Sequence, residues 1–144
     1  MEVKLKVGSD PLFAESLTKS NMASYYQARG IIWDHNLFLS SWDELDNYEI
    51  YLDRVRVGVL RLSYSSNKTF LRDFQILPEF QGRGIGAKCL ELVFRHALDR
   101  QSTKLVLRVF SENPAINLYE SKGFVRASDV NGLIEMEIPL SSNT

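Results

Sequence analysis

One segment constrains the fold of this chain more than any other: Ile76-Leu77-Pro78-Glu79-Phe80-Gln81-Gly82-Arg83-Gly84-Ile85-Gly86-Ala87-Lys88. A strand-like run ends at Pro78, glycines alternate with other residues at 82, 84 and 86, and a helical pattern begins. Glycine tolerates positive φ and carries no Cβ that would hold a ligand away. Amides at a helix start have no intrahelical acceptor, and the helix dipole places partial positive charge there. A strand–glycine–helix unit of this kind suits an anion with several oxygens, such as a pyrophosphate. Arg83 and Lys88 add charge close by.

Two familiar phosphate motifs compete for this loop. Gly82, Gly84 and Ala87 satisfy G-x-G-x-x-A, with Asp99 as a rough ribose carboxylate. A dinucleotide fold, however, expects its glycines after the first strand, and here about half the chain precedes them. A nucleoside-triphosphate loop is excluded because no G-x-x-x-x-G-K-[ST] occurs.

The flanking sequence sets the order of elements. Residues 2–7 alternate, with Val3, Leu5 and Val7 on one face, as in a first strand. Gly8-Ser9-Asp10-Pro11 supplies a turn, a cap and a first-turn proline for a helical region, in two pieces, to about Arg29, with Gly30 as its stop. Residues 30–47 hold Trp33, His35, Phe38 and Trp42 without a clear period. Strands are expected over 48–52, 55–64 and 69–77, then a helix to about Arg100. A strand over 104–110, a helix over 114–122 and closing strands over 124–127 and 134–138 complete the chain. The reading is a mixed α/β sheet with helices on its faces, in one unit over 1–144.

Composition narrows the chemistry. A net charge of -1 and no basic stripe leave nothing to grip nucleic acid, and no apolar run approaches the roughly 20 residues of a membrane helix. With no signal peptide in view, the expected location is the cytoplasm. One cysteine, Cys89, and two histidines, His35 and His96, make a disulfide or a three-ligand zinc site hard to assemble, so no metal is expected. Cys89 shares a helical stripe with Ile85 and Leu92 and reads as core.

A second motif narrows the choice further. Asn113-Pro114-Ala115-Ile116-Asn117-Leu118-Tyr119-Glu120-Ser121-Lys122-Gly123-Phe124 reads as a capped helix, with Asn113 as N-cap and Gly123 as its stop. Capping alone does not require a tyrosine at 119. With the glycine loop upstream, the sequence resembles the GNAT superfamily of N-acetyltransferases: residues 81–86 fit Q/R-x-x-G-x-G/A and residues 113–124 fit N-P-A-x-x-L-Y-E-x-x-G-F. The resemblance is firm over about 71–124; the first 65 or so residues match in element order only.

That resemblance implies a central, mostly antiparallel sheet splayed between two parallel strands, with the arm of acetyl-CoA in the gap. It implies that backbone groups at Gln75, Ile76 and Leu77 pair with the arm. The amides of Gln81, Gly82, Arg83, Gly84, Ile85, Gly86 and Ala87 would hold the pyrophosphate, with Asn113 near the arm and Tyr119 near the thioester sulfur. It implies an acetyl-CoA-dependent N-acetyltransferase, with direct attack by a primary amine. The alternative is a module that binds coenzyme A without turnover.

Tyr119 is the expected acid for the departing thiolate. The base is harder to assign. Two positions where family members often carry a carboxylate correspond to Phe70 or Arg72, and to Arg108, none of which accepts a proton. Asp73 is the nearest carboxylate, and strict alternation along the strand lets only one of Arg72 and Asp73 face a cleft. The acceptor site is expected from the first 50 residues and the closing hairpin. Tyr25, Tyr26, Trp33, His35 and Trp42 offer aromatic surface there, and Asp34, Asp43, Glu44 and Asp46 offer charge for a cationic amine. A homodimer through the closing strands is a further expectation.

Overall fold

The computed structural model describes residues 2–141; Met1 and residues 142–144 of the expected 1–144 unit lie outside the described residues. The chain runs β1 (Val3–Val7), α1 (Pro11–Ala28), α2 (His35–Glu44), β2 (Asp46–Leu52), β3 (Val55–Ser65) and β4 (Lys68–Ile76). A short 3-10 turn at Pro78–Phe80 leads to α3 (Ile85–Asp99), β5 (Lys104–Phe110), α4 (Ala115–Ser121), β6 (Val125–Val130) and β7 (Leu133–Pro139).

The seven strands form one sheet in the order β1-β2-β3-β4-β5-β7-β6. Every neighbouring pair is antiparallel except β4 with β5. This is the expected mixed α/β sheet with one parallel pair at its centre. α1 and α2 cover the face carrying Val59, where Ala14, Leu17 and Phe38 meet it. α3 covers the other face, where Ile85, Cys89, Leu90 and Val93 pack on Ile50, Leu60 and Leu105.

Three local outcomes differ from the sequence reading, each for a physical reason. α1 is one continuous helix: between Pro11 and Ala28 there is no glycine or further proline to break it, and the Asp10 carboxylate accepts from the Phe13 amide at its start. The stretch over 30–47 is mostly helical, because Asp34 caps α2 by accepting from the Leu37 amide at 3.0 Å. Trp33, Phe38 and Trp42 then line up to pack in the cluster with α1 and Val59. β6 runs to Val130 rather than 127, because Asn131 and Gly132 both take positive φ in a tight hairpin turn into β7.

Two irregularities in the central strands shape the middle of the sheet. Pairing between β4 and β5 ends at Leu71↔Leu107, although both strands continue, so the sheet parts beyond that point. Opposite it, the β3–β4 register steps from Arg61↔Asp73 to Leu62↔Leu71, leaving Arg72 as the extra residue of a β-bulge.

Candidate active site

The parted sheet is a cleft with an open volume of about 490 Å³, lined by Asp73, Phe74 and Gln75 on β4, Val109 and Phe110 on β5, and Asn113 and Tyr119. Its β4 wall offers main-chain groups. The Leu77 amide donates to the Val57 carbonyl on β3, and bonding direction alternates along a strand. Leu77, Gln75 and Asp73 therefore turn their backbone groups to β3, and Phe74 and Ile76 turn theirs to the gap. The Ile76 carbonyl is already taken by the Asn21 and Gln81 side-chain amides. The Phe74 N–H and C=O and the Ile76 N–H remain without a partner among the described residues. Of the three residues expected to offer backbone here, only Ile76 does; Leu77 is committed to β3 and Gln75 presents its side chain, which accepts from Asn21. Phe74, two positions from Ile76, was not foreseen.

The glycine loop follows β4, and its Gly86 lies beside the Phe74 and Ile76 side chains. The Gln81 amide donates to Pro78, and the first helical bond of α3 runs from Lys88 to Gly84. Between them, the amides of Gly82, Arg83, Gly84, Ile85, Gly86 and Ala87 have no acceptor among the described residues. Gly82 and Gly84 hold φ of 74° and 81°, conformations that cost an L-residue roughly 1–2 kcal/mol. Gly86 serves another purpose: a Cβ there would come within 3.1 Å of the Leu118 side chain, so it lets α3 approach α4. Ile85 sends its side chain into the core, and Arg83 lies over the Phe80 ring.

Tyr119 is 7% exposed, packs edge-on to Phe124, and its hydroxyl has no protein partner among the described residues. Burial raises its pKa, so it stays a phenol at any ordinary pH. The Asn113 carboxamide oxygen accepts from the Ala115 amide at 2.9 Å and fixes the turn into α4. Cys89 is fully buried, and burial pushes its thiol up to about 12, which removes it as a nucleophile.

Asp73 occupies the junction. It lines the cleft and also a second cavity, of about 750 Å³, whose walls include Tyr26, Trp33, Leu37 and Phe38. The bulge at Arg72 puts it there. Leu71 pairs with Leu62 and faces α3, and without the extra residue Asp73, two positions on, would share that face. With it, Asp73 pairs with Arg61 and faces α1 and α2. Strict alternation fails for the same reason, and both Arg72 and Asp73 line the cleft. Burial pushes the Asp73 carboxyl up to about 6, against the pull of Arg61, whose Nε lies 3.4 Å away.

The remaining expected acceptor residues separate. Trp33 lines the second cavity, its indole N–H donating to Glu15 at 2.8 Å. Tyr26 lines it as well, stacked on Trp33. Tyr25 stacks on Phe110 and borders neither space. The His35 Nδ1 sits 2.7 Å from Glu15, and its ring borders neither space. Of the acids, Asp34 borders the cavity but is engaged as a helix cap, and Asp46 accepts from Tyr48 and Tyr64 on the far side of the sheet. Asp43 and Glu44 are exposed and border neither space. Among the described residues no three His, Cys, Asp or Glu side chains gather as metal ligands would.

This geometry can be set beside known proteins. The acetyltransferase (GNAT) family matches residues 14–124. The chain belongs to this family. Among solved structures, Ard1 from Thermoplasma volcanium superposes with a TM-score of 0.81 at 14% identity, covering 99% of this chain and 100% of that one. PaiA N-acetyltransferase from Thermoplasma acidophilum, solved in complex with coenzyme A, gives 0.72 at 17% identity over 96% of this chain and 99% of that one. At such identities the likeness is one of fold. Thialysine N-epsilon-acetyltransferase of Bos taurus is 34% identical over 82 residues, which is 54% of this chain and 48% of that protein. Its Sus scrofa counterpart is 30% identical over 71 residues, 49% and 42%. The chain thus matches under half the length of either relative.

Within this GNAT chain, sequence reasoning missed Arg61 and Thr18, both buried and both lining the second cavity. Arg61 did leave a trace: it is a lone charge inside Val57-Gly58-Val59-Leu60-Arg61-Leu62. Thr18 left none. No helix among the described residues is long and apolar enough to cross a membrane.

Proposed function

We propose that residues 1–144 form one cytoplasmic N-acetyltransferase domain that moves an acetyl group from acetyl-CoA to a primary amine by direct attack. The observation that carries this is the presence of two sets of unsatisfied main-chain groups within one short stretch of chain: the open β4 edge at Phe74 and Ile76, and the six amides over 82–87 that have no acceptor among the described residues. Amides at a helix start have no intrahelical acceptor and favour an anion, and an amide-bearing arm ending in a pyrophosphate supplies acceptors to both sets. The mammalian relatives, named for N-epsilon acetylation, support an amine acceptor.

Phe74 and Ile76 would hold the arm, and the amides of residues 82–87 the pyrophosphate. Bound there, acetyl-CoA supplies a thioester carbonyl open to attack. An aliphatic amine has a pKa near 10.4 and arrives protonated at neutral pH, so its proton must go before it can attack. Asp73 takes that proton on its carboxylate: it borders both spaces and is mostly ionised at pH 7 with a pKa of about 6. Tyr119, whose ring lines the cleft, would give its Oη proton to the departing sulfur as the C–S bond breaks and recover one from the second N–H that the attacking nitrogen loses. The position of Asp73 supports turnover over the alternative, binding of coenzyme A alone. Pairing of two copies through the wholly exposed edge strand β6 belongs to the same proposal, and light scattering tests it.

The test is a titration of acetyl-CoA followed by an assay of thiol release against a panel of primary amines. Micromolar binding and amine-dependent release are expected. Absence of any coenzyme A affinity would overturn the proposal; binding without release would favour the sensing role.

A further inference from the structure

We propose that the cavity beneath α1 and α2 selects an amine that also carries a carboxylate, a hydrophobic α-amino acid, with Arg61 and Thr18 receiving the carboxylate. The reading rests on the acetyl transfer proposed above for its use of Asp73, and it adds the substrate class.

Arg61 is the reason. It stands on β3 facing the two helices and is only 2% exposed. Its guanidinium lies over the Phe38 ring at 4.5 Å, and Nη2 donates to the Ser41 hydroxyl at 2.6 Å. Asp73 offers charge 3.4 Å from Nε, but without hydrogen-bond geometry, and neither Nε nor Nη1 has an acceptor among the described residues. The Thr18 hydroxyl, in a residue 3% exposed, has no partner among the described residues either. Both residues line the cavity. A buried cation with two unfilled donors is strongly unfavourable, and a leucine or methionine at position 61 would pack on Phe38 and Val59 without that cost. The missing acceptor is an oxygen that arrives with a ligand. A carboxylate brings two, and it matches the fork of a guanidinium.

The rest of the cavity fixes the other ends of the molecule. Arg61 and Asp73 adjoin, so a ligand that reaches both carries its amine and its carboxylate on neighbouring carbons. The amine then sits at Asp73, which also borders the cleft. Beyond them the walls are Tyr26, Trp33, Ile31, Ile32 and Leu37, and Ile32 and Leu37 are 89% and 66% exposed at the rim. An apolar side chain covers that surface. A polyamine offers nothing to Arg61 and brings like charge against it. The cationic recruitment expected from the acidic residues is thereby replaced: the fixed charge in the cavity includes a cation.

Four probes decide this: L-phenylalanine, L-phenylalaninamide, phenethylamine and spermidine, each with the wild type, Arg61→Met and Thr18→Val. In the wild type kcat/KM for L-phenylalanine should exceed that for phenethylamine by on the order of 10–100-fold, because unpaired site donors reject a ligand lacking the oxygen. The amide should fall between them. In Arg61→Met that ratio should collapse toward one, and in Thr18→Val it should drop by a smaller factor. Binding is read separately, as the shift in melting temperature with each probe alone, so the result does not depend on turnover. A rise with L-phenylalanine and not phenethylamine, lost in a folded Arg61→Met, supports the inference. Equal or better use of phenethylamine or spermidine by the wild type overturns it, as does an unchanged ratio in either folded variant. Amines acetylated without carboxylate preference sink only this inference; an absence of coenzyme A binding sinks the function beneath it.

Discussion

The cleft between β4 and β5 and the cavity beneath α1 and α2 meet at Asp73, yet they are made of different material. On the cleft side the open groups are main chain: the edge at Phe74 and Ile76 and the amides over 82–87 come from fourteen consecutive positions. The cavity is lined by side chains from α1, the loop after it, α2, β3 and β4, brought together across more than fifty positions. Main chain can serve any sequence that folds this way, so it suits a ligand shared by a family. Side chains differ from chain to chain, so they suit the ligand that distinguishes one member. The comparison predicts that damage on the cavity side alters which amine reacts, and damage on the cleft side alters the use of acetyl-CoA whatever the amine.

The largest effect should come at the junction. Asp73→Asn is expected to lower kcat by about 10²–10⁴-fold for every acceptor, the range of general base catalysis. As the proposed base, Asp73 acts only when ionised, so wild-type kcat/KM should rise through about pH 6 and level off above it, and the variant should lose that limb. The sign for stability is opposite. The folded-state pKa lies above the unfolded value, so the native state holds the proton longer, and the Asp73 contribution favours folding at low pH and is lost as pH rises through about 6. A pH profile identical in the two proteins would remove Asp73 from the chemistry.

Next is Tyr119→Phe, which keeps the ring against Phe124 and removes only the hydroxyl. A fall in kcat on the order of 10²-fold, with acetyl-CoA KM little changed, is expected from steady-state assays. An unchanged kcat would leave Tyr119 as packing. Gly84→Ala comes third and marks the cleft side: at φ of 81° it should cost roughly 1–2 kcal/mol and weaken acetyl-CoA binding about tenfold by calorimetry. Amine preference should not move. A changed ranking of amines in that variant would break the division between the two regions.

The smallest effects concern the acids first suspected of recruiting the amine. Asp34→Ala should remove a helix cap, costing about 1 kcal/mol in thermal unfolding. Asp43→Ala, exposed and outside the cavity lining, should leave amine KM unchanged. A raised KM in Asp43→Ala would mean that the acceptor approaches over α2 rather than into the cavity.

How far the sequence could be read obeys the same division. The glycine loop, the Asn113–Phe124 segment and the order of strands rest on neighbours in the chain: positive φ at glycine, unpaired amides at a helix start, a cap and a stop. Those rules hold before any tertiary contact forms, so α3, α4 and the central strands lie within a few residues of the bounds that the sequence predicts. α2 was harder, because its helical period emerges only when Trp33, Phe38 and Trp42 have α1 and Val59 to pack against. The β-bulge was invisible for a stronger reason. Nothing in Leu71-Arg72-Asp73 announces an unpaired residue; it exists only in the register with β3.

The sequence by itself determined the family, the strand–loop–helix with its open amides, and the tyrosine that lines the cleft, because each depends on local backbone preference and short spacing. Only the tertiary structure decided which groups face which space. It gave Phe74 rather than Leu77 to the gap, turned Asp73 toward the helices, and buried Arg61 with donors to spare. The physical reason is that a side chain's direction on a strand is set by pairing. One extra residue in a register reverses the facing of every position after it, and no spacing rule along the chain records that reversal.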